Sequence, residues 1–341
     1  MVLRNSGRVG SRRFLSWNSK DEGSGSVMSR ILFRFYMPIS WGIFFVFVSL
    51  IFISINMRTT LAYIHEQLDG LYAAGELREL IRWMMESVCE IPSYRLVLAE
   101  DILSEENRKK IYQITDRLAC YEPIQYIMQN VSFCDCSFHL TSDVLIPRPE
   151  TAELVMRVVS DYKDQKNIRF LDIGTGSGCI AVCLAKKLPG ANVSALDVSE
   201  SALQVARSNA ERNQVDIHFI CHDILDTMVS GALSIYDCII SNPPYITEKE
   251  KASMEHNVLD YEPTIALFVP DDDPLRFYRR IAQLAKQHFP QKGHLYFEIN
   301  EKYGAEVCHL LEREAYKDVE LIQDSYGKDR IVKASYEKRN D

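Results

Sequence analysis

From residue 167 onward, short apolar runs alternate with stretches of helical length, and this alternation restricts the fold more than any other feature of the chain. Runs over 168–173, 192–196, 218–221, 237–240 and 294–299 read as strands, and 180–188, 200–212, 275–288 and 301–316 read as helices. Strands separated by helices of this length pair side by side in one direction, which makes a parallel, doubly wound α/β sheet. The last two runs, 319–322 and 330–334, flank a Ser-Tyr-Gly turn. That turn calls for one antiparallel hairpin at the sheet edge. In such a sheet, ligands bind at the carboxyl ends of the strands.

The loop after the first of these strands reads Asp172-Ile173-Gly174-Thr175-Gly176-Ser177-Gly178 and opens a helix. Glycines let a backbone turn tightly and approach a ligand closely. The spacing is G-x-G-x-G, whereas the dinucleotide fingerprint is G-x-G-x-x-G. Asp197, at the end of the second strand, can accept both hydroxyls of a ribose, in a dinucleotide or in any other adenosine-bearing cofactor. Asp223 and Ile224, at the end of the third, stand where an adenine ring would be flanked. A plainer reading of Asp197 makes it the cap of the helix that begins near Ser199.

Asn242-Pro243-Pro244-Tyr245 follows the fourth strand. Two prolines remove two backbone donors and stiffen the loop, while their carbonyls remain acceptors. Asn242 adds a side-chain oxygen. Such a set matches a planar NH2 group, and Tyr245 can stack on its flat carrier. An amide nitrogen is a poor nucleophile because its lone pair is delocalised. Accepting both of its hydrogens favours a pyramidal nitrogen, so positioning carries most of the chemistry and no strong base is required beforehand. As a bland alternative, Pro-Pro marks a rigid turn.

Before the sheet, Leu77, Leu80, Ile81, Met84, Met85 and Val88 recur on one helical face. Ser104 with Glu105 and Glu106 fits the start of a further helix running towards Leu118. The expected organisation is a helical domain over 57–130, a linker with short strands at Phe133, Phe138 and Leu140 over 131–160, and the α/β domain over 161–341. Residues 1–56 hold seven basic and two acidic residues, so the remainder is more acidic than the −8 of the whole chain. An acidic body disfavours phosphate-backbone binding as a main function. Residues 35–55 are uncharged and long enough to span a bilayer. They fit a membrane anchor, a signal peptide, or a stretch ahead of a start at Met57. The nine cysteines contain no C-x-x-C pair, which points to reduced thiols in a cytoplasmic protein. Cys134-x-Cys136 lacks the second pair a zinc site usually needs, so no metal is expected.

From about residue 57 onward, the chain resembles the HemK-type release-factor glutamine methyltransferases. The resemblance rests on Glu122-Pro-Ile-Gln-Tyr-Ile127, Leu145-Ile-Pro-Arg-Pro-Glu-Thr151, the glycine loop, Asn242–Tyr245 with Ile246, and Gly327-Lys-Asp-Arg330. It implies a class I methyltransferase fold, a seven-stranded doubly wound sheet with a small N-terminal helical domain. It implies S-adenosyl-L-methionine as cofactor, held by Gly174, Thr175, Gly176, Ser177, Gly178, Asp197, Asp223 and Ile224, with Asn242 beside it. It implies that Asn242, Pro243, Pro244 and Tyr245 hold the glutamine of a Gly-Gly-Gln motif, and that the partner is a peptide-chain release factor met by the helical domain. Separately, a monomer is expected, and the acidic body makes a direct nucleic-acid partner unexpected. Gln129, Ala152 and Asn300 depart from residues common in that family. Arg148 and Glu150 fit either a cleft lining or a mutual ion pair, and Glu298 is equally open. Rival readings are a nucleic-acid adenine-N6 or guanine-N2 methyltransferase, which would have to flip its base, a ribosomal-protein glutamine methyltransferase, and a nicotinamide dehydrogenase.

Overall fold

A computed structural model describes residues 57–96 and 102–338. The segment 35–55, with its anchor, signal and start readings, lies outside the described residues. Among those described, no helix is long and apolar enough to cross a membrane.

The helical part opens with α1 (57–68), α2 (Ala74–Cys89), α3 (Ser93–Leu96), α4 (Glu105–Leu118) and α5 (Ile124–Met128). The apolar stripe of α2 buries Leu77, Leu80, Ile81, Met84 and Met85. They pack with Met57, Ile64 and Leu68 from α1 and Ile111, Ile114 and Leu118 from α4 into one core. Ser104 caps α4 by accepting from the Asn107 amide at 3.1 Å. Gln129 ends α5 with φ of 51°, a left-handed conformation that costs a side-chain-bearing residue energy and explains why glycine suits this position.

Residues 131–160 were expected to form a linker with short strands. They hold β1 (Val131–Phe133) and β2 (Cys136–Phe138), and then a helix, α6 (Pro149–Tyr162). Leu140 is buried but lies outside β2. Thr151, Leu154, Val155, Val158 and Tyr162 make a buried face along α6, a helical period that Pro149 opens at the first turn.

The sheet has seven strands in the order β10-β11-β9-β6-β3-β4-β5. These are β3 (Arg169–Ile173), β4 (Asn192–Asp197), β5 (His218–Cys221), β6 (Cys238–Ser241), β9 (Lys292–Glu298), β10 (Lys317–Gln323) and β11 (Asp329–Glu337). β3 to β6 and β9 pair in parallel. The closing hairpin is antiparallel, and β11 inserts between β10 and β9, pairing Ile331 with Glu298. Helices α7 (Cys179–Lys187) and α8 (Glu200–Asn213) pack with α6 on one face, and α10 (Arg276–His288) and α11 (Gly304–Arg313) on the other. The helix expected over 301–316 is shorter, with a 3-10 turn at Glu301–Tyr303 ahead of α11. Between β6 and α10 the chain forms β7 (Ile246–Thr247), a short helix α9 (His256–Leu259) and β8 (Phe268–Val269), with β7 and β8 paired in parallel.

Candidate active site

Register brings the loop ends together. Asp172 and Ile173 lie beside Ala195 and Leu196 on one side, Ile173 lies beside Ser241 on the other, and Asp197 pairs with Cys221. The loops that leave β3, β4, β5 and β6 therefore meet at one edge. They surround a cavity of about 240 Å³. Of the residues expected from the sequence, Gly174, Gly176, Asp197, Asp223, Ile224, Asn242, Pro243 and Pro244 line it.

The glycine turn is tied to β4 by the Gly174 and Thr175 amides, which both donate to the Leu196 carbonyl at 2.8 and 3.0 Å. Gly174 and Gly176 have φ of 73° and 53°, and nothing lies within 4 Å of where their Cβ atoms would stand. Both residues line the cavity, so bare backbone is what they present to it. Asp197 accepts from the Gly176 amide at 2.8 Å and the Ser199 amide at 3.0 Å. The cap of α8 is Ser199, which accepts from Ala202. Asp197 instead bridges the two loops and keeps lone pairs to spare. Burial pushes its carboxyl up, and the Ser199, Gly176 and Val198 amides pull it back. Asp223 accepts from the Leu225 amide at 2.8 Å, and Ile224 is buried.

Thr175, Ser177, Gly178 and Tyr245 are not part of the lining. Thr175 donates to Asp172 at 2.6 Å, and the Ser177 carbonyl accepts from Asn209 at 2.9 Å. Asn209 also bonds both backbone groups of His139, fastening the turn to the segment after β2. Gly178, with φ of 81°, caps α7, and a Cβ there would stand 3.1 Å from Ala206 Cβ. These residues shape the turn from behind. Asp172 is fully buried, and its Oδ1 has no hydrogen-bond partner. Burial raises its carboxyl to about 7 against the pull of Thr175 and the Ala181 amide.

Behind Asn242 stands a polar chain that the sequence left open. The Asn242 Nδ2 donates to Thr151 Oγ1 at 3.2 Å, and that hydroxyl donates to Glu298 Oε2 at 2.6 Å. The other Glu298 oxygen accepts from the Tyr245 hydroxyl at 3.3 Å. Burial raises the Tyr245 phenol well above its ordinary range. Asn300 donates to the Tyr245 carbonyl at 3.4 Å and accepts from the Lys302 amide at 3.0 Å. An asparagine there serves as both cap and tether, which glycine could not.

Arg148 pairs with Glu262 and not with Glu150. Glu262 also accepts from the Ile146 amide at 3.2 Å. Glu262 is 4% exposed, and it clasps the 144–148 segment to the residues that follow it. Val144, Leu145, Pro263 and Ile265 line the cavity on either side of this clasp. Leu145 opens the Leu-Ile-Pro-Arg-Pro-Glu-Thr run, so a signal for this wall was present. Nothing in the sequence around Glu262 marked it.

The sheet order and the cavity at its carboxyl edge are those of a class I methyltransferase, with a helical part ahead of the catalytic domain. The family model "Methyltransferase small domain" matches residues 151–261. A release factor glutamine methyltransferase from Bacteroides thetaiotaomicron is 45% identical over 280 residues, which cover 82% of this chain and 100% of that one. Another from Flavobacterium psychrophilum is 42% identical over 286 residues, covering 82% and 98%. A solved protein-(glutamine-N5) methyltransferase (release factor-specific) from Alicyclobacillus acidocaldarius is 28% identical, covers 59% of this chain and 100% of that chain, and has a TM-score of 0.37. The chain belongs to the release factor glutamine methyltransferase family.

Proposed function

We infer that this enzyme transfers a methyl group from S-adenosyl-L-methionine to the side-chain amide nitrogen of the glutamine in the Gly-Gly-Gln motif of a peptide-chain release factor. One observation carries the reading. At the cavity wall Asn242 has its Nδ2 engaged by Thr151, so its Oδ1 is left as an acceptor beside two prolines that have no N–H. A wall of acceptors suits a group that brings two hydrogens.

The residues present fit the cofactor. Gly174 and Gly176 leave open a cradle that any side chain would fill, Asp197 offers carboxylate lone pairs for a ribose, and Asp223 with Ile224 would flank an adenine. When bound, S-adenosylmethionine supplies the methyl group as an electrophile on a sulfonium. Asn242 Oδ1 and the Pro243 carbonyl would hold the two amide hydrogens. That hold draws the nitrogen lone pair out of conjugation and fixes its direction. Tyr245, held by Glu298, backs the same loop. One amide proton leaves once the N–C bond has formed. The helical part over 57–130 is the surface we assign to the release factor.

Labelled S-adenosylmethionine and purified release factor test the reading directly. Label should enter the Gly-Gly-Gln factor and not a Gly-Gly-Ala version. Equal labelling of both, or of ribosomal protein or nucleic acid alone, would refute it.

A further inference from the structure

We propose that Thr151 and Glu298 decide which edge of the Asn242 amide faces the cavity, and so make the site accept a carboxamide and reject a carboxylate. The proposal rests on the glutamine reading above and adds to it the residues that set its specificity.

The argument follows from counting protons. A carboxylate can only accept. Glu298 is 1% exposed and takes the single Thr151 hydroxyl proton at 2.6 Å. The Thr151 oxygen can then only accept, and the group it accepts from is Asn242 Nδ2 at 3.2 Å. Asn242 is thereby turned with its oxygen outward. An asparagine without this restraint can present either edge. With the restraint, Asn242 offers its oxygen as an acceptor, and Pro243 and Pro244 beside it add carbonyls and no N–H. A glutamine amide finds partners there, whereas a glutamate in the same place meets lone pair with lone pair and stays desolvated without a donor, a large penalty for a charged group. Neither Thr151 nor Glu298 lines the cavity, so they are positioning residues and not catalytic ones.

Glu298 is faced by Glu150 and Thr151 of α6, Arg330 of β11, Tyr245 of the loop after β6, Tyr278 of α10 and Cys179 of α7. Burial outweighs Arg330 and the two hydroxyl donors, and raises the carboxyl to about 7. Once protonated, Glu298 can itself donate to Thr151. The hydroxyl proton is then free to point at Asn242, and the amide can turn over. Discrimination should therefore weaken as pH falls through about 7.

The test uses the full-length enzyme, labelled S-adenosylmethionine, the Gly-Gly-Gln release factor as substrate and a Gly-Gly-Glu version as competing ligand. Thr151→Val keeps the shape and removes both hydrogen bonds. Its kcat should fall about tenfold or more, and its preference for the Gln over the Glu version should narrow by about tenfold, while Thr151→Ser restores both. Glu298→Gln should narrow the preference equally and abolish its dependence on pH. Loss of packing alone would lower the melting temperature and the folded fraction but leave the Gln-to-Glu ratio unchanged. A Thr151→Val enzyme with wild-type kcat and ratio, or a Glu298→Gln enzyme with an unchanged ratio should Thr151→Val fail to fold, would overturn the proposal while leaving the glutamine reading standing. No labelling of Gly-Gly-Gln by the wild type would overturn the glutamine reading itself and this proposal with it.

Discussion

Replacing Arg148 by methionine would separate the clasp from the chemistry. The change keeps an unbranched apolar stem and removes the guanidinium. It leaves the Glu262 side chain, 1% exposed, with a single backbone donor, the Ile146 amide at 3.2 Å. Breaking a buried pair typically costs about 3–5 kcal/mol, because one charge stays behind without its partner. The Arg148 side chain is 33% exposed, so solvent already screens part of the attraction, and about 2–3 kcal/mol is the expected loss near neutral pH. The sign with pH follows from Glu262. Burial holds its carboxyl above the ordinary value, with Arg148 pulling it back, and losing Arg148 lets it rise further. Above that raised pKa the folded state must hold a bare buried carboxylate. Between it and the unfolded value the folded state binds the extra proton, so stability increases as pH falls. Urea unfolding followed by circular dichroism should show the deficit largest near about pH 8 and smaller near about pH 5. Adding Glu262→Gln to Arg148→Met should recover part of it. A loss below about 0.5 kcal/mol, within the range of ordinary surface changes, or a loss identical at both pH values, would refute the clasp as described.

Other outcomes follow from the same geometry. Asn242→Ala should leave S-adenosylmethionine binding intact by calorimetry and remove most methyl transfer; a wild-type rate would rule out its role. Asp197→Ala should weaken cofactor binding by about 1.5–3 kcal/mol, the range for hydrogen bonds to a charged group, and unchanged affinity would rule out the ribose contact. Gly178→Ala must adopt φ of 81° and set a methyl 3.1 Å from Ala206 Cβ. A loss of about 2 kcal/mol by thermal unfolding is expected, and a neutral result would mean that α8 shifts freely.

What could be read from the chain, and what could not, divides by sequence distance. The glycine turn and Asn242–Tyr245 are local patterns whose chemistry is carried by consecutive residues, and the strands beneath them announce themselves by apolar runs. The clasp joins Arg148 to a residue 114 positions away, and Thr151 meets Glu298 across 147. Neighbouring charges such as Arg148 and Glu150 invite a pairing that the structure does not make: Arg148 is the extended cap ahead of α6, and it pairs with Glu262. The helix α6 itself carried a readable period at Thr151, Leu154, Val155 and Val158. Pro147 and Pro149 carry a turn signal at the point where the helix starts, which masks the period behind it. β7 and β8 are two residues each, too short for any alternation to register.

The position of β11 has a consequence for how the molecule comes off the ribosome. Every other strand of the sheet is synthesised before it, yet it slots between β9 and β10, and Arg330 on it is among the groups that set the charge of Glu298. Until β11 emerges, β9 presents a row of unpaired amides and carbonyls at the end of a half-built sheet, a surface that invites pairing with a neighbouring nascent chain. A chain terminated after Glu298 and before β11 would therefore be left with a sticky edge and with Glu298 lacking Arg330. The helical part is complete long before then. A truncated product would carry the helical part without a finished catalytic centre behind it.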